Sequence, residues 1–226
     1  MILAFDADDT LWHNEDGFQA SHRQFEVLLS DWAEPETIDD ELFAIESRNL
    51  RRYGYGVKAY TLSMIECAIA VSGGRVDAEA ISTILDLGHS LLDRPIELID
   101  GVEEVLDELG HHRLMIITKG DLYHQLLRIE NSGVQSRFWQ TEVVAHKDQA
   151  TYQRILTLHG VAVEEFVMVG NSVPSDVAPV LALGGRAIHI PYHVTWAHEQ
   201  HDGDHDAPTL SSVRELPLLL ADWGLH

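Results

Sequence analysis

The sequence predicts an α/β protein: a three-layer core on a mostly parallel sheet, with an all-helical block inserted after the first strand. Two observations carry this. Short apolar runs at 2–5, 114–117, 166–169 and 186–190 have strand length and alternate with amphipathic helical patterns, which implies right-handed crossovers and helices on both sheet faces. Between 14 and 95, by contrast, apolar residues recur at three- and four-residue steps without a strand pattern.

The elements follow in order. Ile2-Leu3-Ala4-Phe5 reads as a buried strand that ends abruptly in Asp6, Asp8, Asp9 and Thr10. Phe18, Phe25, Val27, Leu28, Leu29 and Trp32 mark a first helix, which Pro35 interrupts. Thr37 and Glu41, beside the series Ile38, Leu42, Phe43, Ile45 and Leu50, predict a second helix opening around Ile38. A third helix over 58–71 follows the Tyr53-Gly54-Tyr55-Gly56 loop, and a fourth covers 77–92. Beyond Pro95 the pattern alternates. A helix runs from Asp100-Gly101-Val102 to Leu109, and the strand 114–117 ends at Thr118-Lys119-Gly120-Asp121. A helix over 122–131 closes near Gly133, and the short strand 141–144 leads to Lys147. After a helix over 149–159, the strand 166–169 ends at Gly170-Asn171-Ser172; a helix from Asp176 to about Leu183 and the strand 186–190 complete the series. The expected division is a core of 1–13 and 96–226 around a helical block of 14–95.

Composition bounds the function. At 226 residues and 45% apolar content the chain can bury a full core. Its 37 acidic against 15 basic residues give a formal charge of −22, which repels nucleic-acid phosphates and anionic membranes. Neither is an expected partner. A small phosphorylated metabolite remains compatible, because a cation and a few basic side chains override the global field at contact distance. Cys67 is the single cysteine, so no internal disulfide forms, and a reducing compartment fits. With neither a leader pattern nor a bilayer-length apolar run, a cytoplasmic location is expected. The expected state is a monomer or weak homodimer.

In parallel α/β sheets ligands sit beyond the carboxyl ends of the strands. Asp6, Thr118, Lys147 and Asn171 each fall at or just after such an end. Three acids in four positions at 6–9 repel one another unless a cation compensates. Asp8, Asp9 and Thr10 could instead cap a helix start.

Taken together, these residues resemble the haloacid dehalogenase superfamily. The resemblance rests on Asp6-x-Asp8-x-Thr10, Thr118 after an apolar strand, Lys147 before a helix, and Gly170-Asn171-Ser172-x-x-Ser175-Asp176 after another strand, in the family's order. It implies a Rossmann-like core with 14–95 as a helical cap, and within the family the chain is most similar to small-molecule phosphatases of that type. The resemblance then implies Asp6 as nucleophile and Asp8 as general acid and base. Thr118, Lys147 and the Lys119 amide would bind phosphate. Mg2+ would be held by Asp6, the main-chain carbonyl of Asp8 and Asn171, with Asp176 in an outer position holding a water or Lys147. Phosphoryl transfer independently requires a nucleophile, charge neutralisation and a proton donor, and these residue types supply them.

Two departures stand out. Asn171 occupies a position where many relatives have Asp, leaving a neutral oxygen ligand, and Asp148 replaces a common proline. In the cap, Arg48, Arg51, Arg52 and Lys58 are four of the fifteen basic residues. With Tyr53 and Tyr55 they are expected to read the substrate through basic or stacking contacts, or else to form a solvated helix end. His193, His198, His201 and His205, interleaved with Asp202, Asp204 and Asp206, invite a metal reading but lack fixed ligand spacing; a solvated loop fits better. The expected activity is a magnesium-dependent phosphohydrolase. A sugar-phosphate mutase and a catalytically silent scaffold are the alternatives.

Overall fold

The computed structural model describes residues 1–199 and 203–225. Its chain divides into two compact units, one of Met1–Glu15 with Ile96–His226, the other of Asp16–Pro95.

In the first unit five strands form one parallel sheet in the order β3-β2-β1-β4-β5. The strands are β1 (Ile2–Phe5), β2 (Arg113–Lys119), β3 (Gln140–Val144), β4 (Phe166–Gly170) and β5 (Arg186–His189). Because side chains alternate along a strand, each apolar run feeds both faces. Leu3, Phe5, Leu114, Ile116, Val167 and Val169 pack on one side with α5 (Val102–Glu108), α6 (Leu122–Asn131) and α9 (Leu216–Asp222). Ile2, Ala4, Met115, Ile117 and Met168 pack on the other with α7 (Gln149–His159) and α8 (Ala178–Ala182). The layers are thus helix, sheet, helix. From the central β1 the chain steps outward through β2 and β3, then returns to β4 on the opposite side. This reversal opens a crevice at the carboxyl ends of β1 and β4.

The helix expected from Asp176 differs: a π-helical turn, Val173–Val177, precedes a short α8. Pro174 lies in its first turn, where backbone amides have no internal partner, so it is tolerated there. The terminal α9 has no clear sequence period, because its seven residues are mostly leucine and span only about two turns.

The second unit is helical: α1 (Glu15–Leu29), α2 (Pro35–Tyr53), α3 (Val57–Val71) and α4 (Ala78–Leu92). Phe25, Ile38, Leu42, Met64, Cys67, Ile84 and Leu91 form its core. Pro35 starts α2 and does not merely precede it, since a proline at the first helical position loses no internal hydrogen bond. Trp32 lies beyond α1 at the surface, with the Arg75 guanidinium 4.8 Å from its ring centre. Among the described residues no helix is long and apolar enough to cross a membrane.

Candidate active site

Strand β1 delivers Asp6 to the crevice, and the Asp6 amide still donates to the Val169 carbonyl of β4 at 2.9 Å. Beyond it the chain turns sharply, the Leu11 amide donating to Ala7 at 2.8 Å. Asp9 sits in this turn at φ 63°, an unusual conformation for a non-glycine residue. Its carboxylate accepts from the amides of Asn14 and Glu15 at 2.8 and 3.0 Å. The capping role weighed for this cluster therefore falls to Asp9, while Asp6 and Asp8 face elsewhere. Burial pushes the Asp9 carboxyl up to about 7 against these amide bonds.

Asp6 is buried and paired with Lys147, which also donates to Asp176 Oδ1 at 2.7 Å. Both Lys147 and Asp176 are buried as well. Burial opposes the charge on Lys147, but its two carboxylate partners outweigh this and hold the ammonium above its ordinary value. One lysine serves two acids, and Asp6 also shifts upward. Burial chiefly, reinforced by the Asp176 charge, raises it to about 7 although Lys147 pulls it down. Asp176 is held in turn by the Ser172 amide, 3.0 Å from its Oδ2. A Cβ at Gly170 would fall 2.2 Å from that same oxygen. The π-turn and Gly170 thus seat Asp176 under Lys147. Both of its oxygens are engaged there, Oδ1 by Lys147 and Oδ2 by the Ser172 amide.

The Thr10 hydroxyl stands 3.2 Å from Asp6 Oδ2 and 3.3 Å from Asn171 Oδ1, so the two prospective ligands converge on one point. His189, at the end of β5, contacts the Asn171 main-chain carbonyl at 3.0 Å. Asp6, Thr10 and Asn171 turn oxygen atoms toward this point, which suits a hard cation such as magnesium.

Asp8 is held by residues that sequence reasoning missed. Trp12 Nε1 donates to Oδ1 at 2.7 Å, Gln125 Nε2 to Oδ2 at 3.1 Å, and the Arg128 guanidinium lies 3.0 Å from Oδ1. Gln125 and Arg128 sit three apart on α6 and share a face. The Gln125 amide also donates to the Thr118 hydroxyl at 2.7 Å, leaving that hydroxyl its own proton to give. A helix running back from β2 was legible; that this face meets Asp8 was not.

Lys119 Nζ donates to Ser175 Oγ at 2.9 Å and pairs with Glu199, whose carboxylate also accepts from Ser175 at 3.1 Å. Burial and the neighbouring Lys147 charge push Lys119 down to about 8, against the opposing pull of the Asp176 and Asp6 carboxylates. Asp148, in place of the common proline, caps α7 by accepting from the Thr151 amide at 2.8 Å. Tyr152 is buried behind it and donates to the Ser175 carbonyl at 3.0 Å.

Arg51, Arg52, Tyr53 and Tyr55 belong to the helical unit. Arg51 and Arg52 are exposed in the last turn of α2, Tyr53 is exposed with the Arg52 guanidinium 6.0 Å from its ring centre, and Tyr55 is half-buried. In the histidine-rich loop, His205 Nε2 contacts His189 Nδ1 at 3.2 Å. His201 and Asp202 lie outside the described residues.

Residues 1–184 match the family model of the haloacid dehalogenase-like hydrolases. A haloacid dehalogenase-like family hydrolase from Xanthomonas campestris is 38% identical with a TM-score of 0.89, covering 98% of this chain and 91% of its own. The L-2-haloacid dehalogenase of Xanthobacter autotrophicus (13% identical, TM-score 0.68, covering 97% and 98%) shares the fold. So does the magnesium-bound HAD-hydrolase YfnB of Bacillus subtilis (16%, 0.66, covering 97% of each chain). No curated protein matches the sequence.

Proposed function

Since the chain belongs to the haloacid dehalogenase-like hydrolase family, we propose that it hydrolyses the phosphate ester of a small metabolite, with magnesium, through an aspartyl-phosphate on Asp6. One observation carries this reading: the buried Asp6 carboxylate lies on Lys147 beside the Thr10 and Asn171 oxygens, with a second oriented carboxylate, Asp8, two residues on.

In this reading an Asp6 oxygen attacks phosphorus while the bond to the leaving oxygen breaks, and Asp8 supplies the proton that oxygen needs. Asp8 then takes a proton from the water that cleaves the aspartyl-phosphate, and Asp6 is restored. Lys147 neutralises a phosphate oxygen from a fixed, desolvated position, and Thr118, oriented by Gln125, donates its hydroxyl proton to another. Asp6, the Asp8 main-chain carbonyl and Asn171 would hold magnesium, which when bound neutralises charge on the phosphate oxygens.

A dehalogenase reading draws on a different observation. Both oxygens of Asp8 are engaged by donors and Asn171 is neutral, so an Asp6 oxygen could instead attack a halogen-bearing carbon as the carbon–halogen bond breaks and halide leaves, a step that needs no proton donor. Assay with p-nitrophenyl phosphate and with a 2-haloacid separates the two. Magnesium-dependent phosphate release that disappears in Asp6→Asn supports the phosphatase. Magnesium-independent halide release without phosphatase turnover would replace it.

A further inference from the structure

The helical unit carries a group of ligand-type side chains that the proposed reaction does not use. His22 and Glu26 lie four residues apart on α1 and so share a face. Asp39, in the first turns of α2, meets them there. His22 Nε2 is 2.7 Å from Asp39 Oδ1 and 3.6 Å from Glu26 Oε1. One ligand atom from each of the three residues lies within 4.8 Å of the others. His22 and Glu26 are half-buried and Asp39 is exposed, so the group is held on two helices yet open to an ion from solvent.

An imidazole nitrogen carries at most one hydrogen, which cannot point well at two carboxylates at once. Here two carboxylates converge on one nitrogen, in a chain whose formal charge is already −22. A divalent cation at that point relieves the crowding and uses all three groups as ligands. Nitrogen and carboxylate oxygen bind zinc at about 2.0–2.2 Å, which spaces tetrahedral ligands about 3.3 Å apart. The two separations from His22 Nε2, 2.7 and 3.6 Å, lie on either side of that value, and the three ligand atoms are within 4.8 Å of one another. A mixed nitrogen and oxygen set also favours a first-row transition ion over magnesium or calcium, which seek oxygen throughout.

We propose that His22, Glu26 and Asp39 form a binding site for a zinc-class divalent ion, with water completing the coordination, that clips α1 to α2. Its three residues are distinct from the group of Asp6, Thr10 and Asn171 oxygens. His193, His198 and His205, which the sequence singles out, form no comparable three-ligand group among the described residues.

The test is calorimetric titration of zinc chloride into chelator-stripped, full-length protein held in millimolar magnesium, so that hard-cation sites are filled. The expected result is one saturable zinc per chain, retained in Asp6→Asn and accompanied by a rise in the unfolding temperature. In His22→Ala, binding should weaken by more than the roughly 10–100-fold that loss of a mere outer partner of a metal ligand costs. Asp39→Asn, at an exposed position, should weaken it too, and serves if His22→Ala fails to fold. Stoichiometric zinc that persists in both variants, zinc lost on replacing His193 and His198 instead, or no saturable binding at all would overturn the proposal. Because zinc binding is read without turnover, its outcome is independent of whether the phosphatase reading holds.

Discussion

Lys147 reaches Asp176 Oδ1 at 2.7 Å with the same ammonium that it offers to Asp6, so the position of the site's central cation is set from beneath by Asp176. Asp176→Asn should leave Lys147 with Asp6 as its one full charge partner. The stability cost should stay below the roughly 3–5 kcal/mol of a wholly orphaned buried charge, because Asp6 remains. Turnover should fall far more than substrate affinity. Urea unfolding and steady-state kinetics on one preparation check both.

Gly170 offers a second route to the same residue. Any side chain there would press on Asp176, whose Oδ2 lies 2.2 Å from the position of a Cβ. Gly170→Ala should therefore cost about 1–3 kcal/mol, the usual range for overpacking, and should lower activity as Asp176→Asn does. A double variant less impaired than the sum of the two, read from the same unfolding and kinetic measurements, would show that both act through one contact.

Burial raises the Asp6 carboxyl from 3.8 to about 7. Folding therefore favours its protonated form. The stability associated with that form is fully present below pH 3.8 and is lost as pH rises through about 7. In metal-free protein, Asp6→Asn removes this titration, so the variant should gain stability relative to wild type between about pH 4 and pH 7 and hold the gain above. Unfolding midpoints at several pH values in chelator would show it; a constant difference would mean that Lys147 keeps Asp6 ionised throughout.

Arg128 orients Asp8 from α6, through a contact of 3.0 Å. Arg128→Ala should lower kcat by a substantial part of the roughly 10²–10⁴-fold that a general acid and base contributes, with little change in KM. Arg128→Lys should restore little of it, since a single ammonium cannot reproduce the planar fork that also reaches Asn14 at 2.5 Å. Kinetics of the three forms on p-nitrophenyl phosphate decide this.

Asn171→Asp would exchange a neutral oxygen for a charged one beside Asp6. If these residues hold magnesium, the half-saturating magnesium concentration for turnover should fall several-fold, because cation affinity follows ligand charge. Chelation should abolish turnover in both forms. A magnesium titration of activity measures each.

The strands and the residues at their carboxyl ends were legible in the sequence, because a strand buried on both faces must be an apolar run and its polar successor stands out. Asp6 and Asn171 directly follow such runs and Thr118 closes the apolar part of β2, whereas Lys147 stands three residues past the part-polar edge strand β3. The partners of Asp8 were not legible. Gln125 lies 117 positions away from it, and on an isolated α6 pattern it reads as an ordinary polar residue. Similarly, Asp9 and Asp8 are equivalent as letters. Backbone geometry separates them: the turn at φ 63° sends one carboxylate to the amides of Asn14 and Glu15, and the other to Trp12 and α6. The sequence by itself thus determined the layered α/β architecture and which side chains stand at the sheet edge, since both depend on local periodicity. Only the tertiary structure decided which charges share a lysine, which acid caps a helix and which histidine meets two carboxylates, because those pairings depend on distances across elements that no local pattern encodes.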